Sequence, residues 1–371
     1  MDAKSDASDG LGGSLQGASA ASWAEMSAAI IKGTCPVEEL PGNGAFGRVY
    51  ETSAVGGDGQ VEAAVKVVHK LAEIGGGLQH GTGAKGVMGD ANVAREIAIL
   101  ANLNGSPGVV ELLSWSEGHF DAHLVFPAFQ HSLLRYLTLQ HKKALSAVGG
   151  KIEFLPPAAK RLLNGPCHVH SRKVIHGDLK PGNILVNEMS KASPAIGGIN
   201  VVIADFESAA SADVLPGSPE CYTKLAGNCN TTYQYRAPEL FVVKKFRAVS
   251  YATDIWAMGC VIAEMDTGSI AFGRSRSRNI SELGVVFNSL LRILYRATDE
   301  KFTEMVKNDT ALFFKELAKL HLQATSKLPW GKKRPLAFQR FMASFFVANP
   351  AKREAASTLL SDSALRDALR N

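Results

Sequence analysis

His176-Gly177-Asp178-Leu179-Lys180-Pro181-Gly182-Asn183 runs into the apolar stretch Ile184-Leu185-Val186. A second apolar stretch, Val201-Val202-Ile203-Ala204, ends on Asp205-Phe206-Glu207. A lone Asp or Asn in a loop is ordinarily a turn residue. Here two short strands each present a carboxylate or amide at one end, which makes a cradle for magnesium and phosphate. Hard Mg²⁺ takes oxygen ligands, few of them from protein and the rest from phosphates and water. Asn183 and Asp205 are the expected metal ligands, and Asp178 is left to accept the proton of an attacking hydroxyl. The chemistry implied is phosphoryl transfer.

The remaining composition is compatible with that reading and narrows it. A chain of 371 residues with 46% hydrophobic and 20% charged residues buries a large core in one or two domains. A net charge of +5 is mild for this length and does not indicate a nucleic-acid binder. Cys35, Cys167, Cys221, Cys229 and Cys260 are scattered, odd in number and without C-x-x-C pairs, so neither a disulfide framework nor a zinc site follows. No apolar run approaches membrane-spanning length, and the start lacks a basic region followed by an apolar core. The expectation is a soluble intracellular protein, cytoplasmic or nuclear, with no membrane or nucleic-acid partner.

Residues 1–27 are rich in Ser, Ala, Gly and Asp and are expected to form a disordered tail. Strand character begins near Cys35 and continues through Arg48-Val49-Tyr50, with Ala63 to Val68 as a second strong strand. Leu71 to Asp90 carries seven glycines and reads as a flexible insertion. Asn92–Leu103 has Val93, Ile97, Leu100 and Leu103 at helical spacing. Val109–Trp115 and His123–Phe129 are strand-like. The second part reads mostly helical, at Ser132–Gln140, Ala158 to about Leu163, Thr253–Met265, Ile280–Arg296 and later segments. An α+β architecture follows, a small β-rich lobe with one main helix and then a larger, mainly helical lobe.

Gly42-Asn43-Gly44-Ala45-Phe46-Gly47-Arg48-Val49 is G-x-G-x-x-G-x-V. Alone it is weak, since such glycines also serve tight turns or dinucleotide sites. Strands flank it and no helix opens after it, so a hairpin lid over phosphates fits better than a dinucleotide-binding turn. Lys66 sits within an apolar strand, where an inward lysine is costly unless paired. Glu96, on the following helix, is its expected counter-ion.

With these residues in place the chain resembles the eukaryotic protein kinases, from about Glu38 to Leu360. The resemblance includes Ala237-Pro238-Glu239, Asp254-Ile255-Trp256-Ala257-Met258-Gly259-Cys260 and Asn349-Pro350-Ala351-Lys352-Arg353. It implies a bilobal kinase domain over about residues 34–366, with the lobes meeting near 129–130. It also implies that Glu239 pairs with Arg353 and that Asp254 holds the catalytic-loop backbone. Within the family the chain is most similar to the CMGC group, cyclin-dependent kinases especially, through Tyr235–Leu240, Asp254–Met265, Arg95-Glu96-Ile97 and Leu124-Val125-Phe126. That similarity makes Phe126 the gatekeeper, has Pro127 and Phe129 bond adenine through the backbone, and has Val49, Ala64 and Leu185 sandwich the ring. A proline is admissible at 127 because only its carbonyl is needed. Gly42, Gly44 and Gly47 would cover the phosphates and Lys66 would contact them. Lys180 would stabilise the transferred charge. Arg236 resembles the group's arginine associated with a proline after the target residue.

Three departures stand out. The arginine usual before the catalytic aspartate is Gly177. The activating threonine falls at or near Gly227, and the arginine after D-F-G is Ala210, so Arg95 alone remains of three phosphate-pocket arginines. Tyr222, Thr223 and Thr231 remain candidate acceptors. D-F-G is Asp205-Phe206-Glu207, where glutamate restricts the backbone and adds negative charge near the metal. In addition, Pro166 is expected to end its helix early, at Asn164-Gly165-Pro166.

The expectation is an ATP- and Mg²⁺-dependent Ser/Thr protein kinase, proline-directed, acting on protein hydroxyls with Asp178 as base. Any cyclin-like activator is left open. Two other readings also stay open. A small-molecule kinase of the aminoglycoside or choline type shares His-Gly-Asp-Leu and Asp-Phe-Glu, but Lys180, Ala237-Pro238-Glu239 and Arg353 speak against it. A nucleotide-binding pseudokinase or scaffold is favoured by Glu207 and Pro166, and opposed by Lys66, Glu96, Asp178, Lys180, Asn183 and Asp205.

Overall fold

Strands β2 (Arg48–Gly56) and β3 (Gly59–Lys70) pair antiparallel from Arg48↔Val67 to Gly56↔Gly59. Ala63, Val65 and Val67 are buried and alternate with the half-buried Ala64 and Lys66, so the first three lie on the core face of β3. In the computed structural model the described residues are 38–39, 48–56, 59–70, 87–88, 90–118, 121–146, 155–188, 199–212, 222–224, 231–242, 248–272, 336–347 and 349–361. The chain divides into two compact units: the smaller comprises the described residues up to Val93 together with Leu112–Ala128, the larger Ala94–Glu111 together with those from Phe129 on.

The smaller unit is a six-stranded sheet. Its order is β1 (Glu38–Glu39), β2, β3, β6 (Asp121–Pro127), β5 (Ser114–Glu117), with β4 (Val87–Met88) parallel to β3. Helix α1 (Asp90–Leu103) spans the boundary and buries Val93, Ile97, Leu100 and Leu103, the positions expected from its periodicity. The strand expected over Val109–Trp115 is shorter, beginning at Ser114. Val109 instead makes an isolated parallel bridge with Ile203, and Val110 donates to the Ile203 carbonyl at 2.9 Å. Apolar character there reflects burial of Val109, Val110 and Leu112 in a loop, and periodicity cannot distinguish this from a strand.

The larger unit is mainly helical: α2 (Leu133–Ser146), α3 (Leu155–Ser171), α4 (Glu239–Val242), α5 (Tyr251–Thr267), α6 (Leu336–Phe345) and α7 (Ala356–Ser361). Its strands are β7 (His131–Ser132), β9 (Ile184–Glu188) and β10 (Ile199–Ile203) in one sheet. Two pairs complete it, β8 (Val174–Ile175) with β11 (Ala210–Ser211) and β12 (Tyr222–Lys224) with β13 (Ala248–Ser250). A β-rich unit followed by a mainly helical one is the α+β fold expected. The glycine-rich stretch at 42–47, the first 27 residues and the helix expected at Ile280–Arg296 lie outside the described residues.

Pro166 does not end its helix: α3 runs through it to Ser171. An interior proline removes one hydrogen bond and costs about 3 kcal/mol. Burial of Ala158, Ala159, Leu162, Leu163 and Val169 along α3 offsets that cost. The adjacent Gly165 lets the helix pass close to β10, since a Cβ there would sit 2.4 Å from the Ile203 side chain and 2.8 Å from the Gly108 carbonyl.

Helix α5 is the centre of this unit. Ser250 and Thr253 form a reciprocal capping box at its start, and the Gly268 N–H returns to the Glu264 carbonyl at 2.8 Å. Thirteen of its residues, Thr253 to Met265, are buried, so it presents no solvent face over that length. Trp256 lies against Phe272 and Phe346, and the Arg353 guanidinium stands 5.1 Å from its ring centre. Arg353 forks onto Glu239, with Nη1–Oε1 at 2.8 Å and Nη2–Oε2 at 3.1 Å, and donates to the carbonyls of Ala252 and Val347. The pair implied by the sequence is therefore present, and it is nearly dry. Breaking it leaves a buried carboxylate uncompensated. Arg353→Ala is expected to lower unfolding stability by about 3–5 kcal/mol, measured by denaturant titration. A loss below about 1 kcal/mol, the range of exposed pairs, would show that the pair is not a buried anchor.

Candidate active site

Asp254 is 2% exposed and lies in the first turn of α5, where the helix N-terminus favours negative charge. Its Oδ1 accepts the Gly177 N–H at 2.9 Å and its Oδ2 accepts the His176 N–H at 2.8 Å. Oδ2 also meets His170 Nε2, from the end of α3, at 2.9 Å. The loop from His176 is thus tied to the central helix through its own backbone. His176 extends the frame: its Nε2 donates to the Ala204 carbonyl at 3.0 Å, its Nδ1 accepts the Asp178 N–H at 3.3 Å, and its ring lies 4.8 Å from that of Phe206. The His176 tautomer follows from those two bonds.

Asp178 is nearly buried and its carboxylate is surrounded by donors. Oδ1 accepts both the N–H and the O–H of Thr232, each at 2.8 Å. Oδ2 takes Lys180 Nζ at 2.6 Å and Asn183 Nδ2 at 3.4 Å, and Lys180 also reaches Thr232 Oγ1 at 3.2 Å. Asn183 Nδ2 donates in addition to the Asp178 carbonyl at 2.9 Å. Asp178, Lys180 and Asn183, singled out from sequence, are therefore together. Thr232 and His170 were not singled out. Thr232 stands five residues before Ala237, and only that fixed offset from Ala-Pro-Glu could have signalled it.

Asp205 sits at the end of β10 in the left-handed region, φ 65°. Its carboxylate and those of Glu96 and Glu207 have oxygens within 4.8 Å of one another. Asn183, with its nitrogen committed to Asp178, is left with its carbonyl oxygen. This donor set is oxygen only, which fits a hard divalent cation such as Mg²⁺. Glu207, in the place of glycine, is not at positive φ, so it carries no backbone penalty in this arrangement.

The residues expected around ATP divide between the units. In the smaller unit, Lys66 faces Val49 and Leu124 across β3, and Ala64 faces Glu51 and Phe126, so Val49, Ala64, Lys66 and Phe126 share one face of the sheet. Pro127 is opposite Ala63, on the other parity. Phe129 and Leu185 belong to the larger unit. Gly42, Gly44 and Gly47 are outside the described residues.

Arg236 is buried beside this site. Its Nε donates to Thr231 Oγ1 at 2.7 Å and its Nη2 to the Thr231 carbonyl at 2.6 Å, with the guanidinium 4.4 Å from the Tyr233 ring centre.

Residues 36–364 match the protein kinase domain family, and the chain belongs to that family. It is similar to a probable CTD kinase subunit alpha homolog of Encephalitozoon cuniculi (strain GB-M1), 31% identical over 182 residues, covering 48% of this chain and 46% of that protein. It is likewise 31% identical over 195 residues to cell division control protein 2 homolog 3 of Trypanosoma brucei brucei, covering 52% of each. It is 32% identical over 153 residues to human mitogen-activated protein kinase 13, covering 41% of this chain and 34% of that protein. The aligned part spans about half the length of these relatives or less. No helix among the described residues is long and apolar enough to cross a membrane.

Beneath the site, the Tyr235 hydroxyl donates to Glu264 Oε2 at 2.6 Å. Burial, and then the neighbouring carboxylate, push the tyrosine hydroxyl far above its ordinary value. Burial also raises the Glu264 carboxyl, an effect that the Tyr235 hydrogen bond partly offsets. A carboxyl raised on folding contributes stability below its unfolded pKa, and that contribution is lost as pH rises through the folded value. The charge at Glu264 is therefore a cost at neutral pH. Glu264→Gln keeps an acceptor for Tyr235 without the charge. Its melting temperature is expected to exceed that of the wild type at neutral pH, with the gap closing below the ordinary carboxylate range near about pH 4.3. A lower melting temperature for the variant at neutral pH would contradict this.

Proposed function

We propose that this chain is an ATP-dependent kinase that transfers the γ-phosphoryl group to Ser or Thr hydroxyls of proteins, with preference for a following proline. The observation that carries this reading is the Asp178 carboxylate, aimed by Thr232, Lys180 and Asn183 on a loop whose backbone is tied to Asp254. Asp178 orients the substrate hydroxyl and accepts its proton as the new O–P bond forms. Lys180 lies beside both Asp178 and Thr232 and supplies positive charge to the transferring group. Lys66 and Glu96 carry the roles the resemblance gives them, phosphate contact and counter-ion. Gly42, Gly44, Gly47, Val49, Ala64, Phe126, Pro127, Phe129 and Leu185 would hold the nucleotide. Asn183 and Asp205 would hold Mg²⁺, which when bound neutralises phosphate charge. Positioning and electrostatics supply most of the acceleration in such chemistry.

The preference for proline has its own support. Arg236 occupies the carbonyl of Thr231, next to the residue that holds the base. A substrate amide N–H arriving there would find that acceptor already taken, whereas proline has no N–H to satisfy. Two relatives are named as a CTD kinase subunit and a mitogen-activated protein kinase, which supports a kinase reading.

Asp178→Asn is expected to lower kcat on a Ser/Thr-Pro peptide by about 10²–10⁴-fold with ATP affinity kept. Equal turnover by wild type and variant would overturn the assignment. Turnover of choline or an aminoglycoside with none on peptides would transfer it to small-molecule kinases. ATP binding without turnover of any acceptor would make the chain a nucleotide-binding module. Thr232→Val removes two hydrogen bonds to charged groups, the one its hydroxyl donates to Asp178 and the one it accepts from Lys180, each worth about 1.5–3 kcal/mol, so kcat should fall by about 10–100-fold or more. Thr232→Ser should restore it, and an unchanged kcat in Thr232→Val would remove Thr232 from the site.

A further inference from the structure

Strand β7 is only two residues long, His131 and Ser132, and it pairs antiparallel with Val186 and Leu185 of β9. One step further out, that register sets Gln130 opposite Asn187. There the main-chain ladder gives way to side chains. The Gln130 N–H donates to Asn187 Oδ1 at 2.9 Å, and the Glu188 N–H donates to Gln130 Oε1 at 2.7 Å. Main-chain N–H groups donate in both bonds, so each amide must present its oxygen and both side-chain orientations are fixed. Bonds through side chains span a wider gap than main-chain bonds do. The two amides therefore form a bracket that sets how far the chain splays from β9 as it leaves the sheet.

The two sides of the bracket differ in freedom. All five residues of β9 pair with β10, and Ile184 and Val186 are wholly buried, so Asn187 stands on a fixed strand. On the other side, Gln130 follows Phe129, the first residue of the larger unit at the chain's last crossing from the smaller one. The preceding Ala128 is bonded within the smaller unit, its N–H to the Glu62 carbonyl at 3.4 Å. After the bracket, Ser132 Oγ accepts the Arg135 N–H at 3.3 Å and Leu133 is wholly buried at the start of α2. Phe129 lies between these anchorages. It adjoins Gln130, and Leu185 lies two residues before Asn187.

We propose that the Gln130–Asn187 bracket positions the Phe129 backbone relative to Leu185 and so sets how tightly the chain holds adenine. The inference rests on the nucleotide-binding reading above, in which Phe129 bonds adenine and Leu185 packs on its ring. Gln130 and Asn187 are positioning residues, acting through Phe129. Both bonds face solvent, where water competes for them, so the fold depends on them little and the placement of Phe129 depends on them most.

The test measures binding of ATP with Mg²⁺, and of adenosine, to the full chain by isothermal titration calorimetry, beside kinetics on a Ser/Thr-Pro peptide. Gln130→Ala and Asn187→Ala are each expected to weaken both ligands by the same factor, about 3–10-fold. An equal loss for adenosine places the defect at the adenine end. At saturating ATP, kcat is expected to stay within about twofold, and the melting temperature to fall by no more than about 4 °C. The double variant should lose about as much as either single one, because the bracket fails as a unit. Asn187→Asp keeps an acceptor for the Gln130 N–H and should bind ATP within about twofold of wild type. Unchanged ATP affinity in the alanine variants would overturn the proposal, and so would a fall in kcat with affinity kept. If Gln130→Ala does not fold, Asn187→Ala against Asn187→Asp decides in the same way. A wild-type chain that binds neither ligand would sink the nucleotide-binding reading itself, and the inference with it.

Discussion

The buried carboxylate of Asp254 is the constraint on which the site depends. Taking a charge out of water is costly unless hydrogen bonds compensate it, and Asp254 receives them from His176 N–H, Gly177 N–H and the His170 ring. Those backbone groups would otherwise be orphan donors in the interior, so loop and helix satisfy each other. Because α5 is buried over most of its length, its position is set by packing on every side, and the loop inherits that rigidity. Loosening Asp254 would move His176 and through it Asp178, since the His176 ring accepts the Asp178 N–H.

Rigidity then passes outward in steps. His176 ties its loop to Ala204, the residue before Asp205, and the Ala204 N–H returns to the Asn183 carbonyl at 2.9 Å. The ends of β9 and β10 are thereby locked to each other, which is what brings Asn183 and Asp205 to neighbouring ends of one sheet. On the other side, Thr232 joins the Ala-Pro-Glu segment to Asp178, and Arg353 fixes Glu239 of that segment from the far end of the chain. Charged groups here are placed by partners distant in sequence: Asp178 and Thr232 are 54 residues apart, Glu239 and Arg353 114.

Much of this was legible in the letters. The strand character of β2 and β3, the buried stripe of α1 and the helical character around Asp254 follow from side-chain pattern, a local property. Asp178, Lys180, Asn183 and Asp205 could be singled out because each lies in a turn or strand end beside an apolar run. The reading failed where a local rule met a stronger distant one. Pro166 should end α3 by its own chemistry, yet the helix continues because its apolar face is buried. Val109 looks like a strand and instead bridges once to Ile203.

Gly177 shows the same limit in the site itself. In the sequence it is only a missing arginine, and Glu207 only a missing glycine. The conformations that give them meaning, a φ of 80° at Gly177 and a non-glycine backbone at Glu207, are imposed by segments folded against each other. The sequence alone determined the family resemblance, the order of a β-rich part before a mainly helical one and the choice of candidate site residues, since each rests on pattern within short stretches. Tertiary structure alone decided that Thr232 bonds Asp178 and His170 meets Asp254, that Pro166 is tolerated, and that Gly177 approaches the Ser208 carbonyl. Those outcomes depend on which distant atoms share a buried volume, and no local pattern encodes that.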